Sequence, residues 1–311
     1  MPTRTLTAQE PGPVLIDTEL LSAGGTVTVR TDPARKAAEI TIRTADETGD
    51  SADAIRDADL RWDSRGALVA HVQGKGGING ATVINCGGGT FIARDNYGVV
   101  QSVQNNYGSM VMVSNGDLNL GSSGFRFQSG ATVNAVRGAS LVEIVAVVPE
   151  GSSVIARTQS ADVIAEGTFA AVSASTQSGA VRASGQTKQF TAGTQSGDID
   201  AENFPYIIAK TQSGDIRLGR TDVVEAKTMS GDVTIRDFGG TAQLNSMSGD
   251  IRVHATAGGD ITAKTMSGDI TVTATEQAVN DDLDVRANSM SGDVRIPQRP
   301  RQGVGPRRRR S

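Results

Sequence analysis

Thr228-Met229-Ser230-Gly231-Asp232 decides how this chain is read, because the stretch recurs. Copies or near-copies start at Thr158, Thr176, Thr194, Thr211, Thr228, Ser246, Thr265 and Ser289, in steps of 18, 18, 17, 17, 18, 19 and 24 residues. A short period repeated this often marks one structural unit stacked along an axis.

Outward from each copy, apolar residues alternate with polar ones. Two residues before the Thr or Ser stand Ala156, Ala174, Ala192, Ala209, Ala226, Leu244, Ala263 and Ala287. Four before stand Val154, Val172, Phe190, Ile207, Val224, Ala242, Ile261 and Val285. After the Gly-Asp pair a second alternation follows, as in Val233-Thr234-Ile235 and Ile251-Arg252-Val253. Period two is the mark of a strand with one buried face. Each period therefore reads as strand, corner, strand, corner, too short for a strand–helix unit. The predicted fold is all-β: a single-stranded β-helix, or β-solenoid, of 17–19-residue rungs. Rungs about 4.7–4.9 Å apart would build a rod on the order of 40 Å long.

The corner residues are Gly197-Asp198, Gly214-Asp215, Gly231-Asp232, Gly249-Asp250, Gly268-Asp269 and Gly292-Asp293. Glycine there predicts positive φ. A column of stacked carboxylates repels itself unless each accepts turn N–H groups or a cation sits between them. Arg and Lys neighbours such as Arg217 and Arg252 can screen it, and the denser glycine pattern of calcium-binding β-rolls is missing. No cofactor is expected.

One column changes identity along the chain: Gln159, Gln177, Gln195 and Gln212, then Met229, Met247, Met266 and Met290. By parity it points away from the core. Either another part of the chain covers it, or the corner turns it inward, or these four Met side chains form an adaptable partner-binding stripe.

Four segments follow from this pattern. Residues 1–72 read as an N-terminal β-module and cap, with a short helix or acidic loop between Thr44 and Asp63 and a hairpin around Ser64-Arg65-Gly66. Residues 73–140 read as a Gly/Asn-rich β insertion or irregular rungs, and 141–296 as eight rungs, the last with a loop pushed out between Thr275 and Asp284. Residues 297–311 form a disordered Pro/Arg tail. Its Arg307, Arg308, Arg309 and Arg310 are a weak pointer to nucleic acid in a chain whose net charge is −4. A lone Cys86, no apolar run of membrane-spanning length and no signal-type core after Met1 predict a cytoplasmic protein.

The run Ala146-Val147-Val148-Pro149-Glu150-Gly151-Ser152-Ser153-Val154, followed by eight Ser-Gly-Asp-type copies, resembles a bacterial family. These are the putative-adhesin β-strand-repeat proteins of actinobacterial type, a domain of unknown function. The resemblance covers about 141–296, with 13–72 similar to the module that precedes such repeats. It implies a β-solenoid and carries over no catalytic residue. His71 and His254 stand 183 positions apart with no nucleophile motif near either. The expected role is a non-catalytic scaffold presenting flat faces to a protein partner. A bactofilin-like self-assembling filament and a calcium- or carbohydrate-binding solenoid are the alternatives.

Overall fold

The computed structural model describes residues 1–74 and 141–297 throughout, and between them only the backbone of four short strands. The Pro/Arg tail beyond Pro297 and most of the Gly/Asn-rich segment lie outside the described residues. Two compact units divide the chain, one of Met1–Phe169 with Ser173–Gly179, the other of Ala170–Val172 with Ala180–Ser311. The division runs through the repeats.

The first unit opens with β1 (Thr3–Thr7), β2 (Leu15–Leu21), β3 (Gly25–Thr31), β4 (Glu39–Thr44), α1 (Asp50–Asp57), β5 (Asp59–Trp62) and β6 (Ala67–Gln73). Next come β7 (Ala81–Cys86), β8 (Gly89–Arg94), β9 (Val100–Ser102) and β10 (Asn134–Val136), a separate antiparallel sheet in the order β10-β7-β8-β9. The unit ends with β11 (Val142–Val148), β12 (Ser153–Thr158) and most of β13 (Asp162–Ser175).

Period-two burial drives these strands. Ile16, Thr18 and Leu20 are fully buried on β2, Val27 and Val29 on β3, and Val142, Ile144, Ala146 and Val148 on β11. Each such aliphatic side chain contributes roughly 1.5–3 kcal/mol when fully buried. Between Thr44 and Asp63 the helix forms, because Ala52 and Ile55 reach the core. Arg4 then places its guanidinium on the carbonyls of Ile55, Arg56 and Ala58 at 3.2, 3.1 and 2.6 Å, complementing the negative end of α1. The hairpin turns at Ser64-Arg65-Gly66, where Gly66 N–H donates to Asp63 O at 2.9 Å.

Parallel pairing stacks this unit in turns. β2 lies beside β6 and β12, and β3 lies beside β11 and β13. The pairs β6–β11, β2–β3 and β12–β13 are therefore successive turns, with β2–β3 in the middle. Residues 74–141 leave and re-enter at one corner of the β6–β11 turn, which stacks on β2–β3: Gly74 N–H donates to Leu21 O at 2.8 Å and Val142 N–H to Gly24 O at 2.9 Å. β4 finishes the face antiparallel to β11, and β1 lies antiparallel to β4.

The second unit comprises β14 (Val181–Gly193), β15 (Ile199–Asn203), β16 (Tyr206–Lys210), β17 (Ile216–Lys227), β18 (Val233–Asn245), β19 (Ile251–Ser267), β20 (Ile270–Ala274), α2 (Glu276–Asn280), β21 (Leu283–Ser291) and β22 (Val294–Arg295). Its strands pair in parallel. One register column runs Val181, Ile199, Ile216, Val233, Ile251, Ile270, Val294. Another runs Ala192, Ala209, Ala226, Leu244, Ala263, Ala287. Ala226, Thr228, Val233 and Ile235 are all buried.

Two features of this unit were not read from the repeats. Phe190 and Phe204 stack with ring centroids 5.3 Å apart, and Phe238 is fully buried between Thr221 and Ala255 of the neighbouring strands. Between Thr275 and Asp284 the expected loop is in part the short helix α2. Thr275 Oγ1 accepts the Ala278 N–H at 3.1 Å, and Ala278 itself is buried, which pins the excursion as a capped turn of helix.

Candidate functional site

The corner of the second unit is where the repeated residues meet. In five coils the Thr or Ser hydroxyl donates to the carbonyl of the corner glycine one coil back: Thr211 to Gly197, Thr228 to Gly214, Ser246 to Gly231, Thr265 to Gly249 and Ser289 to Gly268, at 2.9–3.4 Å. In two early coils the same oxygen accepts the N–H of its own corner glycine, Thr194 from Gly197 at 2.9 Å and Thr211 from Gly214 at 3.1 Å. A buried hydroxyl is thereby satisfied, and a turn carbonyl that would otherwise be orphaned has a partner.

The glycines are required for closeness more than for φ. Positive φ occurs only at Gly268 and Gly292 among the corner glycines, at 144° and 159°. The expectation that all take positive φ is corrected. At Gly214, Gly231, Gly249, Gly268 and Gly292 a Cβ would overlap the carbonyl oxygen of the preceding coil's corner glycine. The coils stack backbone on backbone here, with no volume for a side chain.

The aspartates form a ladder. Asp198 Oδ1 accepts the N–H of Asp215, Asp215 that of Asp232, Asp232 that of Asp250, Asp250 that of Asp269, and Asp269 that of Asp293, each at 2.8–2.9 Å. The second carboxylate oxygens meet arginine. Arg217 bridges Asp198 at 2.9 Å and Asp215 at 2.6 Å, and Arg252 bridges Asp232 at 2.9 Å and Asp250 at 2.6 Å. Burial pushes the Asp198 carboxyl up, but the hydrogen bonds from Arg217 and the Asp215 N–H, with the charges of Arg217 and Arg182, hold it below its ordinary value. Hydrogen bonds to Asp198 and Asp232 hold Arg217 and Arg252 above theirs. On the adjoining face Lys227 and Lys210, at 3.0 and 3.3 Å, lower Glu225.

Next to this ladder the methionines stand in the open. Met229, Met247, Met266 and Met290 are 48%, 44%, 50% and 76% exposed, so among the described residues no segment buries them. The corner does not turn them inward. Backbone bonds tie the column from coil to coil, with Ser230 N–H donating to Gln212 O and Ser248 N–H to Met229 O at 2.8 Å, and Ser267 N–H to Met247 O at 2.9 Å.

The two histidines are in different units and different settings. His71 Nε2 is 3.7 Å from Asp17, and His254 Nδ1 is 2.8 Å from Thr273 Oγ1. Among the described residues no group of three or more His, Cys, Asp or Glu could hold a metal ion, and no helix is long and apolar enough to cross a membrane. The hydroxyl-to-carbonyl bonds were missed in the sequence, although the invariance of Thr or Ser at an inward position was the signal for them.

Parallel coils joined by stacked Ser-Gly-Asp corners define an all-β, β-solenoid-type repeat protein. The chain belongs to the Toastrack DUF4097 family, whose model matches residues 92–310. Among solved structures it is similar to a putative lipid binding protein from Parabacteroides distasonis, at 12% identity and a TM-score of 0.50, over 95% of this chain and 97% of that one. A putative adhesin from Parabacteroides merdae is similar at 8% identity and a TM-score of 0.44, over 96% of both chains. No curated protein matches the chain.

Proposed function

We propose that this protein is a non-catalytic interaction scaffold whose second unit presents a ridge of methionines to a protein partner. The observation that carries the reading is the half-exposed Met229–Met247–Met266 column held on a hydrogen-bonded backbone. Flexible, polarisable side chains on a rigid support suit adaptable apolar contact. The polar groups beside them are already committed: the Asp carboxylates to N–H groups and arginines, the hydroxyls to carbonyls. That commitment supports a structural role for the Asp column over acid–base or cation chemistry.

The test is a pull-down with the tagged full chain against a variant carrying Met229→Gln, Met247→Gln and Met266→Gln. Gln occupies the same column at Gln195 and Gln212, so the fold tolerates it. Loss of a partner from the variant supports the reading, and an unchanged set of partners removes the ridge from it. Calcium titration that raises the melting temperature would instead favour a cation-binding role for the Asp column.

A further inference from the structure

The flanks of the methionine ridge differ in sign. On one side the adjoining outward column holds Lys210, Lys227, Asn245, Lys264 and Asn288, with no acid. On the other the first column holds Asp215, Asp232, Asp250, Asp269 and Asp293, with no base. Acids return to the lysine face one column or more farther from the ridge, at Glu225, Asp260 and Asp284, and Glu225 pairs with Lys210 at 3.3 Å and Lys227 at 3.0 Å, which neutralises part of that flank. On the aspartate side, Arg217, Arg252 and Arg295 neutralise part of the charge. Asp269 uses Oδ1 for the Asp293 N–H, and the outward residue two positions on is Thr271, not an arginine.

We propose that the partner of this ridge is the ridge of a second copy, in a parallel two-fold pair whose axis runs along the coil stack. This rests on the scaffold reading above. A two-fold axis along the stack sets each Met against its own equivalent and brings the lysine flank of one copy onto the aspartate flank of the other, twice. A two-fold axis across the stack sets lysine against lysine and aspartate against aspartate. Charge complementarity thus selects one geometry of the two, and like-charge juxtaposition opposes the other. The interface is isologous, as closed dimers require. Four methionines and two narrow flanks make a contact smaller than the ~800 Å² per partner of a standard interface, so the dimer is weak and sensitive to salt.

Sedimentation of the full chain over a range of concentrations tests this. The expected result is a reversible dimer, weakened about tenfold or more by the triple Met→Gln variant and weakened also by Lys264→Glu. Both variants should melt as the unaltered chain does, since the altered side chains are exposed. Orientation is read by thiol crosslinking in a Cys86→Ser background. Met229→Cys alone and Met290→Cys alone should each crosslink to its own kind. Crosslinks formed only when the two variants are mixed would show the antiparallel pair and overturn the proposal. A chain that stays monomeric at every concentration also overturns it. In that case loss of a foreign partner from the triple Met variant would leave the scaffold reading standing, and no loss would end both.

Discussion

The two units solve the same problem, closing a β-coil at a tight corner, by different means. In the first, the corners differ from turn to turn. The β2–β3 corner is Ser22-Ala23-Gly24, the β12–β13 corner is Gln159-Ser160-Ala161, and the β6–β11 corner is opened to admit residues 74–141. There Gln159 bonds the Ser22 N–H through its side chain, an arrangement without a repeat. In the second unit the corner is periodic, and each residue type is set by the coil before it. A hydroxyl needs the previous glycine's carbonyl, a glycine needs the absence of its own Cβ, and an aspartate accepts the next N–H. The insertion enters at one of these irregular corners, where stacking is tight as well: a Cβ on Gly74 would overlap the Ser22 carbonyl oxygen.

Glycine substitution probes this contrast most strongly. Gly231→Ala drives a Cβ into the Gly214 carbonyl and should cost about 3 kcal/mol, read by urea denaturation. Gly25→Ala does the same against Val142 O in the first unit. Trp62, the chain's single tryptophan, lies in the first unit, so its fluorescence follows that unit while circular dichroism follows both. Gly231→Ala should shift the dichroism transition more than the fluorescence one, and Gly25→Ala the reverse. Equal shifts in both signals for both variants would mean the two units unfold as one.

Next in size is the hydroxyl ladder. Thr211→Val keeps the shape but leaves the Gly197 carbonyl and the Gly214 N–H without their partner, a loss of about 1–3 kcal/mol in the same denaturation experiment. No measurable loss would show that the corner carbonyls need no side-chain partner.

Acid should act on the second unit through its carboxylates. Asp198 and Glu225 are held below their ordinary values of 3.8 and 4.5. A depressed folded-state pKa gives stability that is present above the unfolded value and lost as pH falls through the folded one. The melting temperature should therefore hold between pH 7 and 5 and fall below about pH 4. Both groups are substantially exposed, so the shift is modest. A melting temperature that rises on acidification would contradict the ladder's role.

The smallest effect is a control. Gly193 has no positive φ, and a Cβ there meets nothing within 4 Å. Gly193→Ala should change stability by less than about 0.5 kcal/mol. A large loss there would show that glycine matters in this unit for reasons other than coil-to-coil contact.

Much of the second unit could be read from period alone. Ala226, Thr228, Val233 and Ile235 alternate as a half-buried strand must, and the steps between copies match the observed registers, such as Ile216 opposite Val233 and Val233 opposite Ile251. Periodicity works because every coil meets nearly the same neighbours, so sequence distance encodes spatial contact. The exposure of Met229 and Met247 was harder to read: parity turned them outward, but whether another segment covered them depended on contacts distant in sequence.

The pattern of inward and outward residues, and the acceptance of the Ser-Gly-Asp corner as a recurring unit, were written in the chain itself, since both arise between residues a few positions apart. Three matters were settled by packing across the fold. Residues 74–141 interrupt a coil because β6 and β11 take their places beside β2 and β3, strands far from at least one of them in sequence. Corner glycines are glycines because another coil's carbonyl occupies the space a Cβ would need. Aspartates tolerate stacking because each one's N–H donor comes from the following coil, a partner 17 to 24 residues away that no local rule identifies.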